Sequence, residues 1–291
     1  MSAPRRLAWV LNLDAEDELS GRPVTTPSAR ALARIQEAKR SLRPLVGEGA
    51  VVLGEGCDRE ARGLQGRAFC PTPSALQALA RVGAVVPEAP AVSVLARVNH
   101  RAFSARLGQG LPRGVFVTRL EELEGVMASP LEGGWLLKHP FGHVGRRRLH
   151  VSSLDPRARA FAARALRGAG GLQVEPMVER LGDFAIHGFV GRCGTMLGAP
   201  TMQECDALGA WRRSSRSHDL TEREAQALIA EGDRVGLALR AEGYFGPFGV
   251  DGFRYLWEGE PSLCVRCEVN ARYSMGWAVG MGESRPDQGT P

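Results

Sequence analysis

Two carboxylates sit inside apolar runs toward the C-terminal end, and they constrain the chain more than any other feature. Asp251 lies in Pro247-Phe-Gly-Val-Asp-Gly-Phe253, and Glu268 in Leu263-Cys-Val-Arg-Cys-Glu-Val-Asn270. Both runs read as strands, short, rich in branched and aromatic residues and bounded by Gly and Pro. A carboxylate buried without a partner costs more than most single contacts return. The Gly259-Glu-Pro261 segment reads as a turn between the runs. If the strands pair across it, the two acids lie side by side on one face, where they repel unless a cation sits between them.

Asn270 follows Glu268 by two residues and projects from the same face, and Arg272 keeps that phase if the strand continues. Carboxylate and amide oxygens are hard ligands suited to Mg²⁺ completed by phosphate oxygens, and Arg272 is placed to hold a phosphate or a developing oxyanion. The alternative is a set of internal ion pairs, for instance Glu268 with Arg254 or Arg266. Lys138, ending the run Trp135-Leu-Leu-Lys138, needs an anion.

The 291 residues suit one large domain or two to three small ones around real cores, and the formal charge of +5 fits an anionic ligand such as a nucleotide. Six scattered cysteines are too few for a disulfide scaffold, and alternation puts Cys264 and Cys267 on opposite faces of their strand. No apolar run reaches membrane length and no leader precedes the first strand, so the expectation is a cytoplasmic protein with no membrane partner.

Along the chain, strands and helices alternate from residue 7 to about 91, which predicts a small α/β domain over 1–93. A second unit is expected over 94–170, with strands at 115–118 and 135–138 and a flap at 140–148. The flap carries Gly142 and Gly145, which let backbone N–H groups approach phosphate, and Arg146, Arg147 and Arg148, which add charge. A surface hairpin is the plainer reading of that segment. There is no Walker A sequence and no complete GxGxxG after a strand. A third unit, 171–281, holds a capping box at Thr221 and Glu224 and the two acidic strands. Residues 282–291 are expected to form a flexible tail.

Taken together these segments resemble the ATP-grasp superfamily, over about residues 94–276. Val98-Asn-His-Arg101 resembles the helix start that carries a phosphate-binding Lys, with Arg101 in its place. Trp135-Leu-Leu-Lys138-His-Pro140 resembles the strand feeding the flap, and Gln173-Val-Glu175-Pro-Met-Val178 the hinge. Gly249-Val-Asp251-Gly-Phe253 and Glu268-Val-Asn270-Ala-Arg272 are similar to the paired metal strands.

The resemblance implies an α/β chain with α+β subdomains clasping ATP. Lys138 would hold phosphates with Arg101, and Gly142, Gly145 and Arg146 would cover them. Glu175 would receive the adenine amine, with Met177 and Val178 along the ring edge, and Glu179 or Asp183 would bind the ribose. Asp251, Glu268 and Asn270 would hold Mg²⁺ or Mn²⁺, and Arg272 would steady the transferring group.

The chemistry implied is a ligase that activates a carboxylate, of an amino acid or peptide, as an acyl phosphate for an amine. His187, Arg212, Arg213, Arg216, Tyr273 and Ser274 are the substrate-facing candidates, with 211–216 expected as a loop beside the γ-phosphate. Two rivals share the nucleotide residues: a kinase acting on a hydroxyl and a nucleotide-binding protein without turnover. A nucleic-acid partner is disfavoured by the absence of an aromatic-interleaved basic stripe. A homodimer is left open.

Overall fold

The computed structural model describes residues 6–21, 29–108, 110–142, 147–205 and 211–288, with the backbone alone at 29–34. The first unit contains β1 (Leu7–Val10), α1 (Ala15–Leu19), α2 (Ala29–Ser41), α3 (Arg43–Val46), β2 (Val51–Val52), β3 (Gln65–Ala68) and α4 (Pro73–Arg81). Its strands run parallel in the order β2-β1-β3. Ala8, Val51 and Leu79 pack on one face, Trp9, Leu42 and Leu45 on the other, as a parallel sheet covered on both sides requires.

Next come α5 (Val92–Asn99), α6 (Arg101–Arg106), β4 (Val115–Val117), α7 (Leu120–Met127), β5 (Trp135–Lys138), β6 (Arg148–Val151), α8 (Pro156–Ala169) and β7 (Leu172–Pro176). The second sheet is antiparallel in the order β4-β7-β5-β6. β5 is buried at all four positions, so Lys138 ends a strand that offers water no face. α8 starts where Asp155 Oδ1 accepts the Ala158 N–H at 2.7 Å, a side-chain cap that satisfies one orphan donor of the first turn.

The third sheet is formed by β8 (Arg180–Gly191), β9 (Gly194–Leu197), β10 (Thr201–Cys205), β11 (Trp211–Ser215), β12 (Gly246–Trp257) and β13 (Glu260–Asn270), with α9 (Glu222–Ala241) before β12 and α10 (Trp277–Met281) after β13. Its order is β11-β10-β8-β12-β13, with β9 on β8. The Thr221–Glu224 capping box opens α9, whose Leu228, Val235 and Leu239 are wholly buried.

β12 and β13 meet at Trp257 and Glu260 around Glu258 and Gly259, both at positive φ (53° and 87°). Positive φ at both loop positions is the two-residue hairpin geometry whose twist matches the strands. The turn therefore lies one residue earlier than the predicted Gly259-Glu-Pro261. From it the register pairs Phe253 with Cys264, but two residues further along β12 Asp251 faces Glu268. Val265, Arg266 and Cys267 thus stand against Gly252 alone, a bulge. A Cβ on Gly252 would lie 2.7 Å from the Cys264 carbonyl oxygen, so the glycine permits the crowding. The bulge turns Arg266 onto α9, where its Nε donates to Glu231 at 2.5 Å.

Several expectations are corrected. β7 belongs to the second sheet, so that unit runs past 170 to Pro176, and α5 begins ahead of residue 94. Residues 211–215 are a strand on β10, because pairing satisfies backbone groups that a loop would leave to water. Cys264 and Cys267 pack into the same apolar cluster, since the bulge breaks the alternation between them. Residues 282–288 are not a loose tail. Asp287 is buried, accepts from the Tyr273 hydroxyl at 3.0 Å and pairs with Arg285 at 2.9 Å, while Arg285 also donates to the Leu45 carbonyl at 2.8 Å. Among the described residues no helix is long and apolar enough to cross a membrane.

Candidate nucleotide and metal site

The cleft between the second and third sheets is roofed by the first unit. Lys138, Arg101, Gly142, Asp183, Gln203, Asp251, Glu268, Asn270, Arg272, His187 and Ser274 all line it. Its centre is the pair of acids. Asp251 lies directly across from Glu268, and Asn270 faces Gly249 one step further on. Asp251 accepts from Gln203 Nε2 at 2.9 Å through Oδ1 and from Asn270 Nδ2 at 2.8 Å through Oδ2. Burial, then Glu268, pushes its carboxyl up to about 6, against the hydrogen bonds from Gln203 and Asn270 and the charge of Arg272. A carboxyl raised in this way is paired with too little positive charge.

The donor set is two carboxylates and an amide oxygen, which suits a hard divalent ion that keeps further oxygen ligands from phosphate or water. Among the described residues no group of three or more His, Cys, Asp or Glu side chains forms a softer alternative.

Arg101, Lys138 and Arg272 each meet an acid in the cleft. Arg101 Nη2 lies 2.9 Å from Glu268 Oε1. Burial works against the charge of Arg101, and Glu268, then Glu175, outweigh it and raise its pKa. Lys138 Nζ donates to Glu175 Oε2, with both side chains buried. The carboxylate expected to meet an adenine amine is therefore turned to Lys138, since two opposite charges in one dry place neutralise each other. Arg272 donates through Nε (2.8 Å) and Nη2 to Glu16 of α1 and through Nη1 to the Tyr273 carbonyl at 3.1 Å. β13 stops at Asn270, so Arg272 reaches the cleft from the segment beyond the strand. Arg147 pairs with Asp17, joining the end of the flap to the same α1.

The structure separates the remaining candidates. Asp183 lines the cleft and holds Arg180 at 2.6 Å, while Glu179 is exposed outside the lining. Met177 is exposed and Val178 packs beside Phe253 and Tyr255. Gly145 and Arg146 lie outside the described residues.

His187 and Ser274 meet at 3.1 Å in the cleft wall, and burial pushes the imidazole down to about 4, so it is neutral near pH 7. Tyr273 lies outside the cleft lining, its ring packed between Trp9 and Trp277. Arg216 donates to the carbonyls of Val279 and Gly280 at 2.9 Å, and Arg213 is an exposed partner of Glu204 at 2.5 Å. Arg212 borders a shallow groove with Arg180 and Glu204, outside the main cleft. Sequence reading passed over Glu16 and Gln203. Glu16 stands in the acidic run Asp14-Ala-Glu-Asp-Glu18, and its partner Arg272 lies 256 residues away.

Known structures share this arrangement of sheets around a cleft. The chain has the ATP-grasp fold. D-alanyl-alanine synthetase A from Vibrio cholerae superposes with a TM-score of 0.52 at 12% identity, over 93% of this chain and 90% of that one. Carboxyaminoimidazole ribonucleotide synthase from Aspergillus clavatus, complexed with ATP, gives 0.50 at 16% identity, over 93% and 71%. Pyruvate carboxylase from Rhizobium etli gives 0.56 at 13% identity, over 99% of this chain and 30% of that one. No family model and no curated protein sequence matches the chain.

Proposed function

We propose that this chain is an ATP- and Mg²⁺-dependent ligase that activates a substrate carboxylate for attack by an amine. The observation that carries the reading is Asp251 facing Glu268 across two paired strands, with Asn270 beside them, in the wall of a cleft that also holds Lys138 and Arg101. The fold, shared with an ATP-bound synthase and a D-alanyl-alanine synthetase, supports the same class.

Asp251, Glu268 and Asn270 would hold Mg²⁺, or Mn²⁺ with the same donor preference. The ion would supply charge neutralisation on the phosphates. Lys138 and Arg101 bind the nucleotide phosphates, exchanging carboxylate partners for phosphate oxygens. The Asp183 carboxylate, at the Arg180 end of β8, accepts from the ribose hydroxyls. Arg272 orients the reacting carboxylate.

The carboxylate oxygen attacks the γ-phosphorus and the bond to ADP breaks. The amine nitrogen attacks the acyl carbon, the bond to phosphate breaks, and the amine proton leaves with phosphate or water. Positioning and charge carry such a reaction, which matches a cleft that gathers Lys138, Arg101 and Arg272 around the acidic pair.

The test is thermal stabilisation by Mg²⁺·ADP, measured beside acid- and amine-dependent ADP release. A protein that gains no stability from Mg²⁺·ADP, or releases ADP only with an alcohol acceptor, rules the ligase out.

A further inference from the structure

The sheet register sets the order of chemistry along the cleft. On β8, Asp183 stands opposite Phe253, Ala185 opposite Asp251, and His187 opposite Gly249. His187 therefore lies about 7 Å beyond the acidic pair, on the side away from Arg180 and Asp183. Lys138 acts with Arg180 on Cys267, so these two cations belong to the other part of the cleft, and Arg101 stands at the acidic pair itself, on Glu268. The part beyond His187 is where a second substrate would lie.

Its walls have one chemical character. Leu13, Phe69 and Met275 come together from the first unit and the segment after β13. Trp211 closes another side, its Nε1 donating to Ser214 at 2.8 Å. His187 and Ser274 supply neutral polar atoms. Gly276 lets His187 and Ser214 pack directly against the backbone, since a Cβ there would lie 3.0 Å from His187 Nε2 and 3.1 Å from Ser214 Cβ.

Among the described residues that line this end of the cleft the cation is Arg272, its guanidinium 5.4 Å from the centre of the Phe69 ring, while Arg147 is paired with Asp17 on α1. A guanidinium has five N–H groups. Glu16 takes the one on Nε and one on Nη2, and the Tyr273 carbonyl takes one on Nη1. One remains on each terminal nitrogen, a fork that fits a single carboxylate. A second anionic group on the same substrate would meet apolar side chains and a neutral imidazole, and a buried charge left so is strongly disfavoured.

We infer that the acid this ligase activates is a small monocarboxylate with an apolar body, gripped by Arg272 and packed against Phe69, Leu13 and Met275, and not a dicarboxylate or a phosphorylated compound. The inference rests on the ligase reading and narrows its substrate class.

Hydroxylamine, replacing the unidentified amine, traps the activated acid as a hydroxamate with release of ADP and phosphate. Isovalerate, phenylacetate and leucine are compared with glutarate, glutamate and O-phosphoserine on the full chain, after Mg²⁺·ADP binding has been verified in the same preparation. The expected result is kcat/KM at least about tenfold higher for the apolar monoacids. Met275→Lys, which adds a cation to the wall on a stem of similar length, is expected to narrow or reverse that ratio. Equal or better hydroxamate formation from the dianionic acids overturns the inference and leaves the ligase reading standing. Mg²⁺·ADP binding with no hydroxamate from any monoacid also overturns it. Loss of Mg²⁺·ADP binding itself counts against the broader reading.

Discussion

Replacing Asp251 with Asn should stabilise the protein when no divalent ion is present. The Asp251 carboxyl moves from an ordinary 3.8 to about 6 on folding, because packing and Glu268 both oppose its charge. An acid whose folded pKa is raised binds its proton more tightly in the folded state, so stability falls as pH climbs from about 4 to about 6 and stays reduced above. At 1.36 kcal/mol per unit the penalty at pH 7.5 is about 3 kcal/mol.

Asparagine removes that penalty but offers one acceptor where the carboxylate met both Gln203 and Asn270, a loss of about 1 kcal/mol. The variant should therefore gain about 2 kcal/mol at pH 7.5. At pH 4.5 the wild-type carboxyl is mostly protonated in the folded state, the penalty shrinks to about 1 kcal/mol, and the gain should vanish. Thermal melts in EDTA at both pH values read the difference directly. With a melting entropy of about 2.1 cal/mol/K per residue, the gain at pH 7.5 corresponds to about 3 °C. Mg²⁺·ADP should then raise the melting point of wild type more than that of the variant. A variant less stable than wild type at pH 7.5 in EDTA would refute the reasoning.

Three further outcomes follow from the same geometry. Glu268→Gln should lower ADP formation by at least about a thousandfold while leaving the circular dichroism spectrum intact; wild-type turnover in that variant removes the metal assignment. Glu16→Leu should cost about 3–5 kcal/mol in urea denaturation by leaving buried Arg272 without its acid, and adding Arg272→Met should recover part of the loss. Gly280→Ala should lower stability by about 1–3 kcal/mol in the same assay, because the new methyl meets the His187 side chain, with Cβ and Cγ 3.1 and 3.0 Å away.

The elements of the cleft were largely legible in the sequence because their signals are local. The apolar run ending in Lys138 marks β5 to the residue, and Thr221 with Glu224 marks the start of α9. Asp251 and Glu268 were readable as neighbours because each is a charge on a strand and the strands share a turn. Their partners were not readable. Arg272 with Glu16 and Arg101 with Glu268 depend on how distant elements dock, which no local pattern encodes. The strand at 211–215 carries basic residues because it is the edge of its sheet, where side chains face water, so its composition looks like a loop. Cys264 and Cys267 were misplaced for a related reason: alternation assumes an unbroken ladder.

The bulge at Gly252 decides which charges the two strands bring face to face. Carried on evenly from the turn, the pairing of Phe253 with Cys264 would have set Arg266 across from Asp251. The strands would then have neutralised themselves and needed nothing from solution. A slip of two residues sends the guanidinium to the helix behind the sheet and brings a second acid forward, which is the arrangement the proposed metal site requires. A side chain placed at position 252 is thus a way to ask whether the ladder, more than the acids themselves, sets the charge of the proposed site.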